Sequence, residues 1–162
     1  MDGIGREFIE KTKYKYLRES DQSKNLPQPT LEQIAEENKE IIELPHPKDV
    51  QVDIKLVEAM EKRRSLRRYS DKPLTLEELS FLLWCTQGVK EKYQNVTFRM
   101  VPSAGARHAF ETYILVNNVK GLNSGLYRYL ALDHKLQEVE MSAEIADKLV
   151  DACLGQTFIK NS

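Results

Sequence analysis

Between Glu61 and Asp71 the chain reads Glu-Lys-Arg-Arg-Ser-Leu-Arg-Arg-Tyr-Ser-Asp, with four arginines and a serine inside the six residues Arg63 to Arg68. A phosphate monoester carries nearly two negative charges and several acceptor oxygens. Guanidinium groups match that geometry through paired hydrogen bonds, and a serine hydroxyl adds a neutral donor. In an extended segment, residues i, i+2 and i+4 share a face. Arg63, Ser65 and Arg67 would then converge, while Arg64 and Arg68 point elsewhere. The same residues also fit a plainer reading, a helix C-terminus trimmed with cations and followed by a solvated basic stretch. Spacing alone does not choose between the two. A second stretch, Pro102-Ser-Ala-Gly-Ala-Arg107, has small side chains that let a flat ligand approach the main chain, and its glycine permits unusual dihedrals. An ordinary interstrand loop has that composition too. The chain contains neither GxxxxGK[ST] nor GxGxxG, so a bound phosphate would have to be held by side chains.

The elements that must position these residues are readable from about residue 53 onward. Asp53 is a plausible N-cap for a helix striped by Ile54, Leu56, Val57 and Met60 and ending in Lys62, Arg63 and Arg64. Arg67 to Lys72 reads as extended, because Pro73 keeps Lys72 out of the helical region. Thr75-Leu-Glu-Glu78 is a capping box, predicting a helix with a buried stripe of Leu76, Leu79, Leu82 and Leu83, widened by Phe81 and Trp84 and stopped at Gly88. Strands are expected over Val96 to Val101 and Thr112 to Asn117. A hairpin follows from Gly125–Tyr129 and Lys135–Val139 around Asp133-His134. Ser142 should cap a last helix lined by Ile145, Leu149, Val150 and Cys153 and closed by Gly155. Residues 1–50 differ in character. Residues 5–20 suggest a surface helix, 20–30 a linker, Leu31, Ile34 and Ala35 a helical turn, and Ile41 to Leu44 an extended run before Pro45. They read as an arm lying on the body or on a partner subunit, with partial disorder as the alternative; the body is 51–162.

Composition bounds the function class. The 162 residues suffice for one domain with a core, and 24 basic against 25 acidic residues leave a formal net charge of −1. That balance argues against a general nucleic-acid or membrane-surface binder. No apolar run approaches the roughly 18 residues that span a bilayer, and the first residues lack the apolar segment of a secretory signal. Cys85 and Cys153 show no CxxC spacing and fall on apolar helical stretches, so they are expected to be reduced and buried in a cytoplasmic protein. His46, His108 and His134 are far apart and lack metal-ligand spacing, so no metal site is expected.

Taken together and in order, these stretches resemble the nitroreductase family of FMN-dependent oxidoreductases, and more closely its SagB-type dehydrogenase branch, associated with peptide-azoline oxidation. The matching runs are Leu44-Pro45, Arg63 to Tyr69, Leu79 to Gly88, Pro102 to Arg107, Glu111 to Val116 and Gly125 to Tyr129. The resemblance spans roughly residues 44–160. It implies an α+β fold, a mixed but mainly antiparallel sheet flanked by helices. It also implies that Arg63, Arg64, Ser65 and Arg67 sit at the FMN phosphate and ribityl end, with Ser103, Ala104, Gly105 and Arg107 beside the isoalloxazine ring. The family works as a homodimer with FMN at the subunit interface. Its chemistry is ping-pong: NAD(P)H, or the substrate itself, delivers hydride to the flavin, and a second substrate reoxidises it. Family domains continue well beyond Ser162, so the fold is expected to be incomplete at its C-terminus, either truncated or paired with a second half-domain. The leading expectation is an FMN-dependent oxidoreductase acting on a small organic or peptide substrate. The alternative is a catalytically incomplete nitroreductase-like binding or scaffold protein, and an unrelated α+β domain with a surface arginine patch is the third reading.

Overall fold

A computed structural model describes residues 3–161. The chain divides between Thr30 and Leu31 into two compact units. In the first, helix α1 (Ile4–Lys11) is followed by a short 3-10 turn over Tyr14–Tyr16. The expected surface helix thus covers about the first half of the stretch assigned to it. Glu10 is paired with both Lys13 and Lys15, which hold its carboxyl below the usual range.

The second unit is built on a four-stranded antiparallel sheet. In chain order its elements are β1 (Ile41–Glu43), α2 (Leu56–Lys62), α3 (Leu76–Gln87), β2 (Val89–Lys92), β3 (Thr97–Arg99), β4 (Thr112–Val116), β5 (Gly125–Leu130), β6 (Lys135–Glu140) and α4 (Ile145–Ala152). The sheet order is β1-β6-β5-β4, and β2 and β3 form a separate antiparallel pair. This is the mixed α+β, mainly antiparallel architecture expected.

α3 forms where the sequence says it should. Thr75 Oγ1 accepts from the Glu78 N–H, and the Glu78 carboxylate accepts from the Thr75 N–H, closing the capping box. Leu79 and Leu83 then pack with Val116, Tyr127, Tyr129, Ala131 and Leu136 as the core between α3 and one sheet face. Leu82, expected in that stripe, is half exposed. The helix ends at Gly88 for a reason other than a left-handed cap, since Gly88 has φ −54°. A Cβ there would lie 2.5 Å from the Trp84 carbonyl oxygen and would strike the Trp84 ring. Glycine is required by close approach.

Side chains alternate across a strand, so Tyr127 and Tyr129 face the core and Arg128 faces the other way. Arg128 stands directly opposite Gln137 on β6 and donates to its Oε1 at 3.1 Å. Both are buried, at 4% and 1% exposure. The cover on this second face is residues 31–36, which form no helix. The helical turn expected from Leu31, Ile34 and Ala35 is absent because side chains from the sheet capture the main chain there. Arg128 donates to the carbonyls of Gln33 and Ile34 and to Gln33 Oε1. The Gln137 amide donates to the Glu36 carbonyl at 2.9 Å. Glu111 accepts from the Gln33 N–H at 2.8 Å. Glu32 accepts from the Ala131 and Leu132 N–H groups, and burial raises its carboxyl above the usual range.

On the core side, the β5–β6 turn is pinned by a short polar chain. The Ser80 hydroxyl donates to the Pro45 carbonyl at 2.5 Å, and its oxygen lies 2.7 Å from His134 Nε2. His134 Nδ1 lies 2.7 Å from the Tyr129 hydroxyl. With the serine proton spent on Pro45, the assigned arrangement is Nε2–H donating to Ser80 and Tyr129 O–H donating to Nδ1. That is a neutral imidazole.

Several local expectations are corrected. α2 starts at Leu56 behind Lys55, not at Asp53, and ends at Lys62; its stripe of Leu56, Val57 and Met60 is exposed. β2 was not foreseen. Glu144, not Ser142, precedes α4, and the Ser142 hydroxyl donates to Glu140 instead. Cys85 is exposed and Cys153 half-buried, both as free thiols.

Two outcomes follow. Gly88→Ala should cost roughly 1–3 kcal/mol in urea unfolding, because the main chain of Trp84 cannot move aside. Burial depresses the His134 pKa below its ordinary 6.5. A group with a depressed folded pKa contributes full stability above its unfolded value and loses it as pH falls through the folded one. Wild-type stability should therefore fall on acidification below pH 6.5, and His134→Gln should flatten that slope in urea midpoints measured pH by pH.

Candidate functional site

The arginine segment begins where α2 stops. Arg63 is the residue that caps α2, its N–H bonding the Ala59 carbonyl, and residues 64–70 continue without regular structure. Arg63, Arg64, Ser65 and Arg67 are all exposed. Among the described residues, none of Arg63, Arg64, Arg67 and Arg68 has a carboxylate partner. Lys62, by contrast, is neutralised one turn back by Glu58. The segment presents unpaired cations beside a hydroxyl, and its exposed apolar companions are Leu66 and Tyr69. After it the chain returns to the body at Leu74, which bridges Val119.

The second stretch is a tight, internally bonded loop. Ala104–Ala106 makes one 3-10 turn behind Ser103. Gly105, Ala106 and His108 have φ of +61°, +52° and +45°. Two of these three are not glycine, and left-handed backbone at such residues is uncommon and strained. Ser103 Oγ accepts from the His108 N–H at 2.9 Å, closing the loop on itself. A Cβ placed on Gly105 would meet only Arg107 Cγ, at 3.7 Å, so the main chain at the turn is open to an approaching group. Ala104, Gly105 and Arg107 are exposed, and Ser103 is half-buried.

Two residues near this loop, Arg99 and His108, belong to neither motif. Arg99 is 7% exposed, while its neighbour Phe98 is about half exposed. Its guanidinium donates to Thr97 Oγ1, Gln87 Oε1 and the Leu31 carbonyl. His108 hydrogen-bonds the Thr97 backbone, and burial together with the nearby Arg99 cation holds its pKa below the ordinary value. Hydrophobic patterning favours burying Phe98 and exposing Arg99. The structure does the reverse, so the sequence held no usable signal for this pair.

The residues fit a flavin mononucleotide at the level of donor chemistry. Unpaired guanidiniums and a hydroxyl suit its phosphate, and an open main-chain turn suits a flat ring. Among the described residues, no group of three or more His, Cys, Asp or Glu is placed to hold a metal ion, and no helix is long and apolar enough to cross a membrane.

Comparison with known proteins matches residues 60–159 to the nitroreductase family, a span that contains both candidate stretches. Over 107 residues the chain is 39% identical to a Methanocaldococcus jannaschii protein whose name assigns it to the nitroreductases, covering 66% of this chain and 52% of that one. It is 34% identical over 55 residues to the trifolitoxin-processing protein TfxB of Rhizobium leguminosarum bv. trifolii, covering 33% of this chain and 15% of that one. A solved Ralstonia eutropha structure, also named for the nitroreductases, superposes with a TM-score of 0.53 at 28% identity, covering 74% of this chain and 50% of that one. The chain thus spans about half the length of the first relative it matches. On the family match and the antiparallel α+β fold together, the chain belongs to the nitroreductase family.

Proposed function

We propose that this chain carries the phosphate-gripping and ring-facing portion of an FMN-dependent oxidoreductase. The observation that carries the reading is that both candidate stretches lie inside the family match, and that the arginines of the first have no carboxylate among the described residues to satisfy them. Bound FMN would supply reversible two-electron transfer between NAD(P)H, or the substrate itself, and an acceptor. The chain's own residues would do the holding. Arg63, Arg64, Ser65 and Arg67 grip the phosphate and ribityl end. Ser103, Ala104, Gly105 and Arg107 bring main chain and one cation beside the ring. A small organic acceptor suits the family name. The shorter likeness to a toxin-processing protein supports a peptide substrate and the SagB-type branch. Chemistry of this kind is cytoplasmic in our reading.

One observation favours a second reading. Leu56, Val57, Met60 and Leu66 stand exposed beside the arginine segment. We therefore take the working unit to be a homodimer or a pairing with a second half-domain. The corresponding alternative is a nitroreductase-like binding or scaffold protein without turnover.

FMN titration by flavin fluorescence tests the phosphate assignment. Arg63→Ala and Ser65→Ala should each weaken binding, the arginine roughly tenfold or more, because a charge-assisted bond to a dianion is lost. Equal affinity in wild type and both variants would refute the assignment. Absence of flavin uptake by the wild-type chain would favour the scaffold reading.

A further inference from the structure

The far end of the arginine segment is tied to the body by main chain and by one side chain. Leu74 bridges Val119 in parallel. The Leu74 N–H donates to the Asn118 carbonyl at 3.1 Å, and the Lys120 N–H donates to the Leu74 carbonyl at 2.8 Å. The Asn118 side-chain amide adds a third bond, donating to the Asp71 carbonyl at 3.1 Å. The turn that offers these groups, residues 117–124, follows β4 and is itself held. Val119 and Leu122 pack against the buried core. The Ser124 hydroxyl donates to the Asn117 carbonyl, and the hydroxyl of Tyr127, a core residue, donates to the Asn123 carbonyl at 2.8 Å. Asn118 and Asp71 are both exposed, so their bond is not needed to satisfy a buried group.

We propose that Asn118 is a positioning residue for the phosphate grip: it fixes the exit of the arginine segment and with it the place of Arg67. The segment hangs between two supports. Arg63 takes its place from the last turn of α2, where its N–H bonds the Ala59 carbonyl. Arg67 is four residues from Asp71, so its Cα stays within about 14 Å of that anchor, whereas Arg63 is eight residues away and has a reach of about 29 Å. The upstream support therefore governs Arg63 and the downstream one governs Arg67. Two guanidiniums hold one dianion well only if both stand ready, because ordering a loose segment on binding subtracts from affinity. Asn118 acts through the Asp71 main chain and not on the ligand.

The proposal takes its ligand from the flavin reading above, but its first test needs no flavin. Trypsin cuts after arginine, and a cut after Arg67 or Arg68 draws the chain toward Asp71 into the protease, so the tie must open first. In Asn118→Ala, cleavage of the full chain after these two residues, read by mass spectrometry, should speed up roughly threefold to tenfold, as for the loss of one hydrogen bond. Cutting after Lys24, in the first unit, should not change. The second test is FMN titration by flavin fluorescence, where Asn118→Ala should weaken binding by a similar factor. In double variants that loss should multiply with the loss from Arg63→Ala but not with the loss from Arg67→Ala. Asn118→Leu, similar in size but without a donor, repeats both tests and decides alone if the alanine variant does not fold. Unchanged cleavage after Arg67 and Arg68, or equal acceleration at Lys24, overturns the tie. Faster cleavage with unchanged FMN affinity, or a loss that multiplies with both arginine variants, overturns the positioning role. No FMN uptake by the wild-type chain overturns the phosphate reading and the role toward it, while cleavage still judges the tie by itself.

Discussion

Two arginines inside the protein, Arg99 and Arg128, bond to neutral oxygens in every hydrogen bond described for their side chains. Taking a guanidinium out of water costs several kcal/mol unless its protons find acceptors. The acceptors here are the main-chain carbonyls of Leu31, Gln33 and Ile34, three glutamine side chains and the Thr97 hydroxyl. The segment and the arginines therefore need each other. Without residues 31–36 each cation would lose part of its acceptors, and without the cations the carbonyls of Leu31, Gln33 and Ile34 would lose these donors. The sheet consequently has two unlike faces. One is an apolar contact with α3 built on Tyr127, Tyr129 and Leu136. The other is a polar clasp centred on Arg128 and Gln137.

Much of the framework was legible because its causes are local. The capping box at Thr75 needs only four consecutive residues, and it formed as read. The β5–β6 hairpin announced itself through dense strand signals on either side of Asp133-His134. β2 did not, because Val-Lys-Glu-Lys has no apolar face to alternate. The strap formed by residues 31–36 was misread for the opposite reason. Leu31, Ile34 and Ala35 have helical spacing, but the carbonyls of Leu31 and Ile34 are claimed by Arg99 and Arg128, far away in sequence, a demand that no window of local pattern contains. Arg99 and Phe98 are inverted in burial for the same long-range reason. At the candidate site, both motifs were legible as composition, and the bonded turn that shapes Ser103 to His108 was not.

The division of labour follows a familiar physical logic. Neither candidate stretch lies in a strand or an α-helix, yet each follows a fixed element: Arg63 caps α2, and Ser103 comes shortly after β3. Loops set on a rigid frame can carry chemistry that regular elements cannot, because their side chains and main chain are not already committed to ladders. The positive φ values at Ala106 and His108 show that this loop is held in its shape by bonds around it.

The clasp on Arg128 reads main chain. Carbonyl oxygens are common to all twenty residue types, so docking constrains the identity of Ile34 and Glu36 only weakly, whereas Arg128 and Gln137 are strictly constrained and Gln33 also lends its side-chain oxygen. Over time the strap can drift in sequence while its docked path stays the same, and its presence in a distant homologue will be betrayed by the receptor residues on β5 and β6 before any likeness appears in the strap itself.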